Sequence, residues 1–142
     1  MADGVEMSGA LDGIRVLDLS TLVQGPQAAA MLHDLGAEVL KIELPEIGDM
    51  GRHVGIVEEL GTSVFWEACN RGKRSVTLDL RTEAGKEAFL KLVEISDVVL
   101  SNFQPGTLEG WGRGYEDLAA INPGVIWAAG SFLGPTGPDA LR

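Results

Sequence analysis

The sequence predicts an α/β fold with a Rossmann-like, mostly parallel sheet and flanking helices. Three observations lead to this prediction: short aliphatic runs typical of strands, segments of helical periodicity between them, and glycine or proline at most junctions. The predicted strands cover residues 14–19, 38–43, 75–80, 97–101 and 125–129. Strands that alternate with helices are joined by right-handed crossovers, which makes their sheet parallel. A chain of 142 residues fits one domain with a substantial core.

The two longest helices are predicted from their end signals. Pro26 suits the first turn of a helix, because its missing N–H would be unpaired there, and Gly36 suits a left-handed cap at the end of that helix. Thr82 is the expected N-cap of the next long helix. Apolar residues follow it at three- and four-residue spacing, which is typical of a helical core stripe; they are Ala84, Ala88, Leu92 and Ile95.

Weaker signals predict the remaining segments. Residues 62–70 and 115–121 are expected to form short helices. Residues 44–61 have no steady period and contain several glycines and a proline, so they are predicted as a long loop. Loops of this length are usually functional or mobile. The last residues, from 130 onward, are rich in glycine and proline and carry no clear element.

The composition is that of an acidic globular protein. A formal net charge of -10 argues against nucleic acid or an anionic membrane as a partner, since both favour positive surfaces. Cys69 is the only cysteine, so an internal disulfide is impossible and a reducing compartment is favoured. The first residues show no secretory signal pattern, and no run approaches the ~20 apolar residues of a membrane helix. A cytoplasmic location is therefore expected.

Common cofactor and metal motifs are missing. The first predicted strand is not followed by G-x-G-x-x-G, and no glycine loop ends in Lys-Ser/Thr, so a nicotinamide or P-loop enzyme is not expected. His33, His53 and Cys69 are too few and too scattered for a structural zinc site. Asp18 closes the first strand, where bonding to backbone N–H groups of the next turn is more typical than catalysis.

A basic turn, "NRGKRS", precedes the third predicted strand and contains Arg71, Lys73 and Arg74. The ordinary interpretation of such a turn is a solvated surface. In an acidic protein, local positive charge also indicates a site for phosphates, to which arginine and lysine give charge-assisted hydrogen bonds. The residues alone leave both interpretations open.

The location of a ligand site follows from the predicted sheet. In open parallel sheets, ligands bind outside the carboxyl ends of the strands. In this chain those ends are followed by residues 20–26, 44 onward, 80–81, 102–106 and 130 onward. This set is the expected binding surface.

Several ordered stretches resemble one known family. They are "LDGIRVLDLS", "GPQAAAMLHDLGAEVLKIE", "GDMGR", "NRGKRSVTLDLRTEAGKEAFLKLV", "DVVLSNFQPG" and "YEDLAAINPGVIWAAGSFLGPTGP", between residues 11 and 138. Together they are similar to the N-terminal part of class III CoA-transferases, a family that includes formyl-CoA and carnitine CoA-transferases and the α-methylacyl-CoA racemases.

The resemblance implies a CoA thioester as substrate, a carboxylic acid as the second substrate, no metal or redox cofactor, and a homodimer of interlocked chains. It places CoA contacts in three segments. The implied contact residues are Val23, Gln24, Leu78, Asp79, Leu80, Arg81, Asn102, Phe103 and Gln104. All of them fall at or just past predicted strand ends, so the two lines of reasoning agree. By strand direction, the basic turn lies at the opposite end of its strand, which leaves a phosphate or a dimer role open.

The catalytic residues that the resemblance implies are an aspartate that takes the acyl group in the transferases, or a histidine and an aspartate in the racemases. By pattern these follow Arg142, so no catalytic residue is assigned, and residues 1–142 are expected to be a truncated CoA-binding domain. The open alternatives are a racemase-like fragment and a non-catalytic CoA-binding or truncated product. Leu44, Gly110 and Gln104 stand where relatives carry arginine, so either Arg52 and Arg113 replace those arginines or CoA is held less tightly.

Overall fold

The computed structural model describes residues 9–134 and 136–140. Its strands are β1 (Arg15–Asp18), β2 (Glu38–Glu43), β3 (Ile56–Val57), β4 (Thr62–Ser63), β5 (Arg74–Thr77), β6 (Val98–Ser101) and β7 (Ile126–Ala129). Its α-helices are α1 (Gln24–Asp34), α2 (Val64–Asn70), α3 (Glu83–Val93), α4 (Thr107–Gly110) and α5 (Tyr115–Ala119), and Met50–His53 forms a 3₁₀ turn.

Five of these strands form one parallel sheet, in the order β5-β2-β1-β6-β7. All five run in the same direction, so their carboxyl ends meet at one edge. The chain moves from β1 to β2 and β5 on one side, and returns to β6 and β7 on the other. This reversal makes the gap between β1 and β6 the switch point, where open sheets bind their ligands. The predicted α/β fold with a parallel sheet is confirmed.

The core lies on both faces of the sheet because side chains alternate along each strand. On β1, Val16 belongs to a smaller cluster with Ala29 of α1, whereas Leu17 belongs to the larger cluster with Phe89 of α3. These four side chains are at most 2 % exposed. The sheet is therefore covered on both sides, as a parallel sheet requires.

Local signals explain the start of α3 and the end of α1. Thr82 Oγ1 accepts a hydrogen bond from Gly85 N at 3.0 Å, which confirms the predicted N-cap of α3. Gly36 has φ +108°, the left-handed region, two residues past the last residue of α1. The start of α1 was predicted at Pro26, but the helix begins at Gln24 and has no side-chain cap.

Three predicted segments differ from the structure. The helix predicted over 62–70 begins at Val64, because Thr62–Ser63 form β4. The predicted third strand, 75–80, ends at Thr77, because Asp79 Oδ1 accepts a hydrogen bond from Arg81 N at 3.0 Å and turns the chain. Leu78 lies just past the strand, and its N–H still donates a hydrogen bond to the Glu43 carbonyl of β2. The predicted loop 44–61 holds the 3₁₀ turn and the strand β3, which pairs antiparallel with β4. Among the described helices, none is long and apolar enough to cross a membrane.

Candidate functional site

A pocket of about 350 Å³ opens at the carboxyl-end edge of the sheet. Its walls come from the segments that follow β1, β2, β5 and β6, so one cavity collects residues that are far apart in sequence. The lining residues are Leu19, Ser20, Thr21, Ile42, Glu43, Leu44, Ile47, Gly48, Asp49, Met50, Leu78, Asp79, Leu80, Arg81, Phe103 and Trp111. The structure therefore has a cavity where the strand order predicts the binding surface.

The predicted contact residues divide into two groups around this pocket. Five of them line it, namely Leu78, Asp79, Leu80, Arg81 and Phe103. Asn102 lies beside the pocket and is hydrogen-bonded to the backbone of Thr21. Val23, Gln24 and Gln104 are exposed and do not line the cavity.

The segment after β5 brings an ion pair to the pocket. Arg81 Nε and Nη2 lie 2.8 Å from the two carboxylate oxygens of Asp79, in a two-point contact. The hydrogen bonds from Arg81 lower the pKa of Asp79 to about 2. The Arg81 side chain is 56 % exposed, so its guanidinium remains accessible to an anion that competes with Asp79.

The segment after β6 supplies an aromatic wall. Phe103 and Trp111 meet edge to face, with ring centroids 6.0 Å apart and an interplanar angle of 66°. Trp111 belongs to the "GWGRG" run, whose alternating glycines give no indication of a pocket wall. The position of Trp111 in the pocket wall follows only from its contact with Phe103 in the folded chain.

The turn between β1 and α1, residues 19–24, is fixed by side chains from other segments. Asn102 Oδ1 accepts from Thr21 N at 2.8 Å, and Asn102 Nδ2 donates to the Thr21 carbonyl at 2.9 Å. Asp18 Oδ1 accepts from Ser20 N at 3.0 Å, which confirms the predicted bonding of this carboxylate to the turn. The turn and the segment after β6 are thus joined across the switch point.

The loop after β2 forms the opposite wall, and Glu43 anchors it. Glu43 accepts hydrogen bonds from Asp49 N at 2.9 Å, from Arg52 Nε at 2.7 Å, and from the Ser75 hydroxyl. Burial alone would raise the pKa of Glu43, but the bonds from Arg52, Ser75 and the Asp49 amide outweigh it and lower the pKa to about 2. Glu43 is therefore a fixed anion that ties the loop to the sheet.

Arg52 and Arg113, the two predicted replacements for missing family arginines, have internal partners. The Arg52 guanidinium is paired with Glu43, and its carbon lies 3.4 Å from the centroid of the Trp66 ring. Arg113 is 4 % exposed and donates from Nη2 to the Thr82 carbonyl at 3.2 Å. Neither lines the pocket.

The basic turn has a different role for each cation. The Lys73 side chain is 2 % exposed. Its Nζ donates to Asp18 Oδ2 at 2.7 Å and to Asn70 Oδ1 and the Pro26 carbonyl at 2.8 Å. Burial lowers the pKa of Lys73, and the Asp18 carboxylate opposes that shift. Arg71 pairs with Asp34 on α1, whereas Arg74 is exposed. For Lys73, both sequence interpretations are wrong, since it is neither solvated nor available to a phosphate.

The histidines and the cysteine take structural positions. A ring nitrogen of His33 lies 3.1 Å from the Ala37 carbonyl, and one of His53 lies 2.9 Å from the Ile47 carbonyl. Cys69 is a buried free thiol. Within residues 9–134 and 136–140, no group of three or more His, Cys, Asp or Glu side chains is arranged to hold a metal ion.

Comparison with known proteins identifies the family. The profile described as CoA-transferase family III matches residues 11–142. The chain belongs to CoA-transferase family III. This confirms the resemblance drawn from the ordered motifs.

Named relatives of the family are CoA-transferases. The chain is 46% identical over 128 residues to the succinyl-CoA–D-citramalate CoA-transferase of Chloroflexus aurantiacus, covering 90% of this chain and 32% of that protein. It is 41% identical over 136 residues to the acetyl-CoA:oxalate CoA-transferase of Acetobacter aceti, covering 93% and 34%. The chain spans about a third of the length of the curated relatives it matches.

Solved structures of the family share the fold described above. A CAIB/BAIF family protein from Brucella suis superimposes with a TM-score of 0.88 at 44% identity, over 96% of this chain and 37% of that one. A Mycobacterium tuberculosis protein, Rv3272, gives a TM-score of 0.88 at 43% identity, over 95% and 37%.

Proposed function

We propose that this chain is the CoA-binding part of a CoA-transferase that moves CoA between an acyl-CoA and a carboxylic acid. The observation that carries the proposal is the pocket at the switch point, which Leu78–Arg81 and Phe103 line together with the β1–α1 turn. These are segments to which the family resemblance assigned CoA contacts. Residues 1–142 then act as one CoA-binding domain.

The chemistry of the pocket suits a CoA thioester. Its walls are largely apolar and include Phe103 and Trp111, which favour an aromatic base or an aliphatic arm. Arg81 at the mouth offers charge-assisted hydrogen bonds to phosphate oxygens. Val23, Gln24, Asn102 and Gln104 complete the proposed contact set at the surface beside the cavity.

The pocket's own carboxylates favour a binding role for this part of the protein. Glu43 forms an ion pair with Arg52, Asp49 with Lys41, and Asp79 with Arg81. A carboxylate that takes an acyl group must be free to approach the thioester carbon, and these three are held by cations. We therefore assign no catalytic residue among the described residues, and propose that the nucleophilic carboxylate of the family comes from outside them.

The proposal extends to the partners of the whole protein. The named relatives act on succinyl-CoA or acetyl-CoA together with a dicarboxylic acid, according to their names. We propose the same two classes of substrate here, with a CoA thioester as substrate rather than a resident cofactor. We also propose a homodimer and a cytoplasmic location.

Calorimetric titration with CoA tests the binding role. Arg81 and Arg15 form a matched pair, because their side chains are 56 % and 51 % exposed and lie at opposite ends of the sheet. We expect Arg81→Gln to weaken CoA binding about tenfold, the loss of roughly one charged hydrogen bond. Arg15→Gln is expected to leave the affinity unchanged. Equal effects from the two variants, or a folded wild-type chain that does not bind CoA, would contradict the proposal.

A transfer assay tests the activity of the whole protein. Acyl-CoA is incubated with an isotopically labelled dicarboxylic acid, and labelled acyl-CoA is followed by mass spectrometry. The transferase proposal predicts label in the thioester pool with no net loss of thioester. Exchange of the α-proton of the acyl group with solvent, without transfer of label, would instead indicate the racemase-like alternative.

A further inference from the structure

Four buried charges lie beneath the β1–α1 turn. The ammonium groups of Lys41 and Lys73 and the carboxylates of Asp18 and Asp49 belong to side chains that are each at most 2 % exposed. Lys41 Nζ is 2.7 Å from Asp49 Oδ2 and 3.6 Å from Asp18 Oδ2. The two positive and two negative groups balance. Such a cluster does not by itself favour stability, since removing charges from water is costly. Its role is therefore inferred from the groups to which it is bonded.

The Lys41–Asp49 pair holds two neighbouring backbone groups of the turn. Lys41 Nζ donates to the Ser20 carbonyl at 2.7 Å, and Asp49 Oδ1 accepts from Leu22 N at 2.9 Å. With the bonds of Asn102 to Thr21, three successive residues of the turn are fixed by side chains of other segments.

Leu22 shows why the turn needs this support. Its φ of +67° lies in the left-handed region, which non-glycine residues rarely adopt and which persists only where the surroundings hold it. The following residues, Val23 and Gln24, are exposed next to the pocket. The backbone at Leu22 therefore sets the direction in which the end of the turn points.

Asp49 also links the turn to the loop that forms the far wall of the pocket. Besides Leu22 N, Asp49 Oδ1 accepts from Gly51 N at 2.6 Å, and Asp49 N donates to Glu43 at 2.9 Å. One carboxylate thus joins the segments that follow β1 and β2. Its partner Lys41 lies directly opposite Asp18 in the β1–β2 register.

We propose that Lys41 and Asp49 are positioning residues for the CoA site: they hold the β1–α1 turn and the loop after β2 in the arrangement that receives the ligand. The inference rests on the proposed CoA-binding function. Asp49 lines the pocket, but its side chain is 1 % exposed. The inference assigns no contact with CoA to either residue: both act through the backbone of residues 20–22 and of the loop after β2.

The test compares Asp49→Ala with Val93→Ala. Val93 is fully buried in α3, outside the pocket, so its truncation lowers stability without touching the turn. With CoA as the titrant in calorimetry, Asp49→Ala is expected to raise the Kd at least tenfold. Val93→Ala is expected to change the Kd less than twofold despite its own loss in melting temperature. Kd values that follow the melting temperature in both variants would overturn the proposal.

A double variant provides a test in case Asp49→Ala does not fold. Lys41→Met/Asp49→Leu removes both charges together, which avoids leaving one buried charge alone. It is expected to fold and still to bind CoA at least tenfold more weakly. A folded paired variant with wild-type affinity would overturn the proposal while leaving the CoA-binding function in place.

Amide hydrogen exchange in the ligand-free wild type separates this inference from the proposed function. The Leu22 and Gly51 amides donate to Asp49, so both are expected to exchange at least a hundredfold more slowly than unstructured peptide. Unprotected Leu22 and Gly51 amides would overturn the positioning role whether or not CoA binds. Protected amides in a protein that does not bind CoA would support the role of Asp49 in holding the turn and would contradict only the proposed function.

Discussion

Lys73 has a buried ammonium group, whereas the next residue, Arg74, has an exposed positive charge. Its ammonium group is bonded to Asp18, Asn70 and the Pro26 carbonyl, whereas the adjacent Arg74 is exposed. Sequence does not distinguish the two, because the partners of Lys73 are as many as 55 positions away. Of the three cations at this turn, Lys73 pairs with a buried carboxylate, Arg71 pairs with the half-exposed Asp34, and Arg74 is exposed.

Substitution of these neighbours tests the assignment. Lys73→Met leaves Asp18 without its nearest cation, and breaking a buried pair in this way costs about 3–5 kcal/mol of unfolding free energy. Arg74→Met removes an exposed charge and is expected to change stability by no more than about 0.5 kcal/mol. Urea unfolding of both variants measures the difference. Similar small losses from both would show that Lys73 is not part of a buried ion cluster.

Glu43 makes the stability of the protein depend on pH in the acid range. Its pKa is lowered from 4.5 in the unfolded chain to about 2 in the fold, so the unfolded state binds a proton first as pH falls. The resulting stabilisation, on the order of 3 kcal/mol, is complete above about pH 4.5 and is lost toward pH 2. Denaturant midpoints measured across this window are expected to fall less steeply in Glu43→Gln. An unchanged slope would contradict the role given to Glu43.

At the scale of elements, the segment that carries Leu78–Arg81 is set by how α3 begins. Gly85 lies in the first turn of α3, and a methyl group there would lie 2.0 Å from the Asp79 carbonyl oxygen. Only glycine lets the helix approach the pocket segment this closely. Because of this close contact, the position of the start of α3 determines the position of residues 78–81 in the pocket wall.

Gly85→Ala and Gly110→Ala are matched substitutions at two helical glycines. Gly85→Ala forces α3 and the backbone at Asp79 apart and is expected to lower the free energy of unfolding by about 1–3 kcal/mol. It is also expected to weaken CoA binding, because residues 78–81 shift. Gly110 has no atom within 4 Å of the added methyl, so the second is expected to be neutral or to stabilise by up to about 1 kcal/mol. Thermal melts and CoA titrations compare them. Unchanged CoA affinity in a folded Gly85→Ala variant would contradict this coupling.

The elements were predictable where local signals decide them. The strand 38–43 has the predicted bounds, and the Thr82 cap and the parallel direction of the strands follow from sequence alone. The end of the third strand was misplaced because the Asp79 side chain, not a glycine or proline, turns the chain. The positions of Trp111 and Asp49 in the site depend on tertiary packing and on bonds between distant segments, which leave no periodic trace.

At the scale of the whole molecule, β5 and β7 are the edges of the five-stranded sheet. β7 presents Ile126, which is 60 % exposed, and the following segment presents Phe132, which is 97 % exposed. Unpaired strand edges and exposed apolar side chains favour association between chains. The sheet therefore has an exposed apolar edge at β7, although both of its faces are covered.

We expect the 142-residue chain on its own to associate at micromolar concentration. Ile126→Lys places a charge on the edge strand and is expected to reduce association, whereas Ile121→Lys, at a 37 % exposed position outside the sheet, is the control. Light scattering after size-exclusion chromatography follows both. A monodisperse wild-type monomer with a sharp, cooperative melt would contradict this expectation.

The central claim is that CoA binds at the carboxyl-end edge of the sheet. The most direct measurement is a titration of the ¹⁵N-labelled chain with CoA, followed by amide chemical shifts and made in the Ile126→Lys variant, in which association is expected to be reduced. The account predicts shifts concentrated in residues 19–24, 78–81 and 102–104, with little change around Arg15 and Arg74 at the other end. Shifts confined to that other end, or no shifts in a folded protein at millimolar CoA, would contradict it.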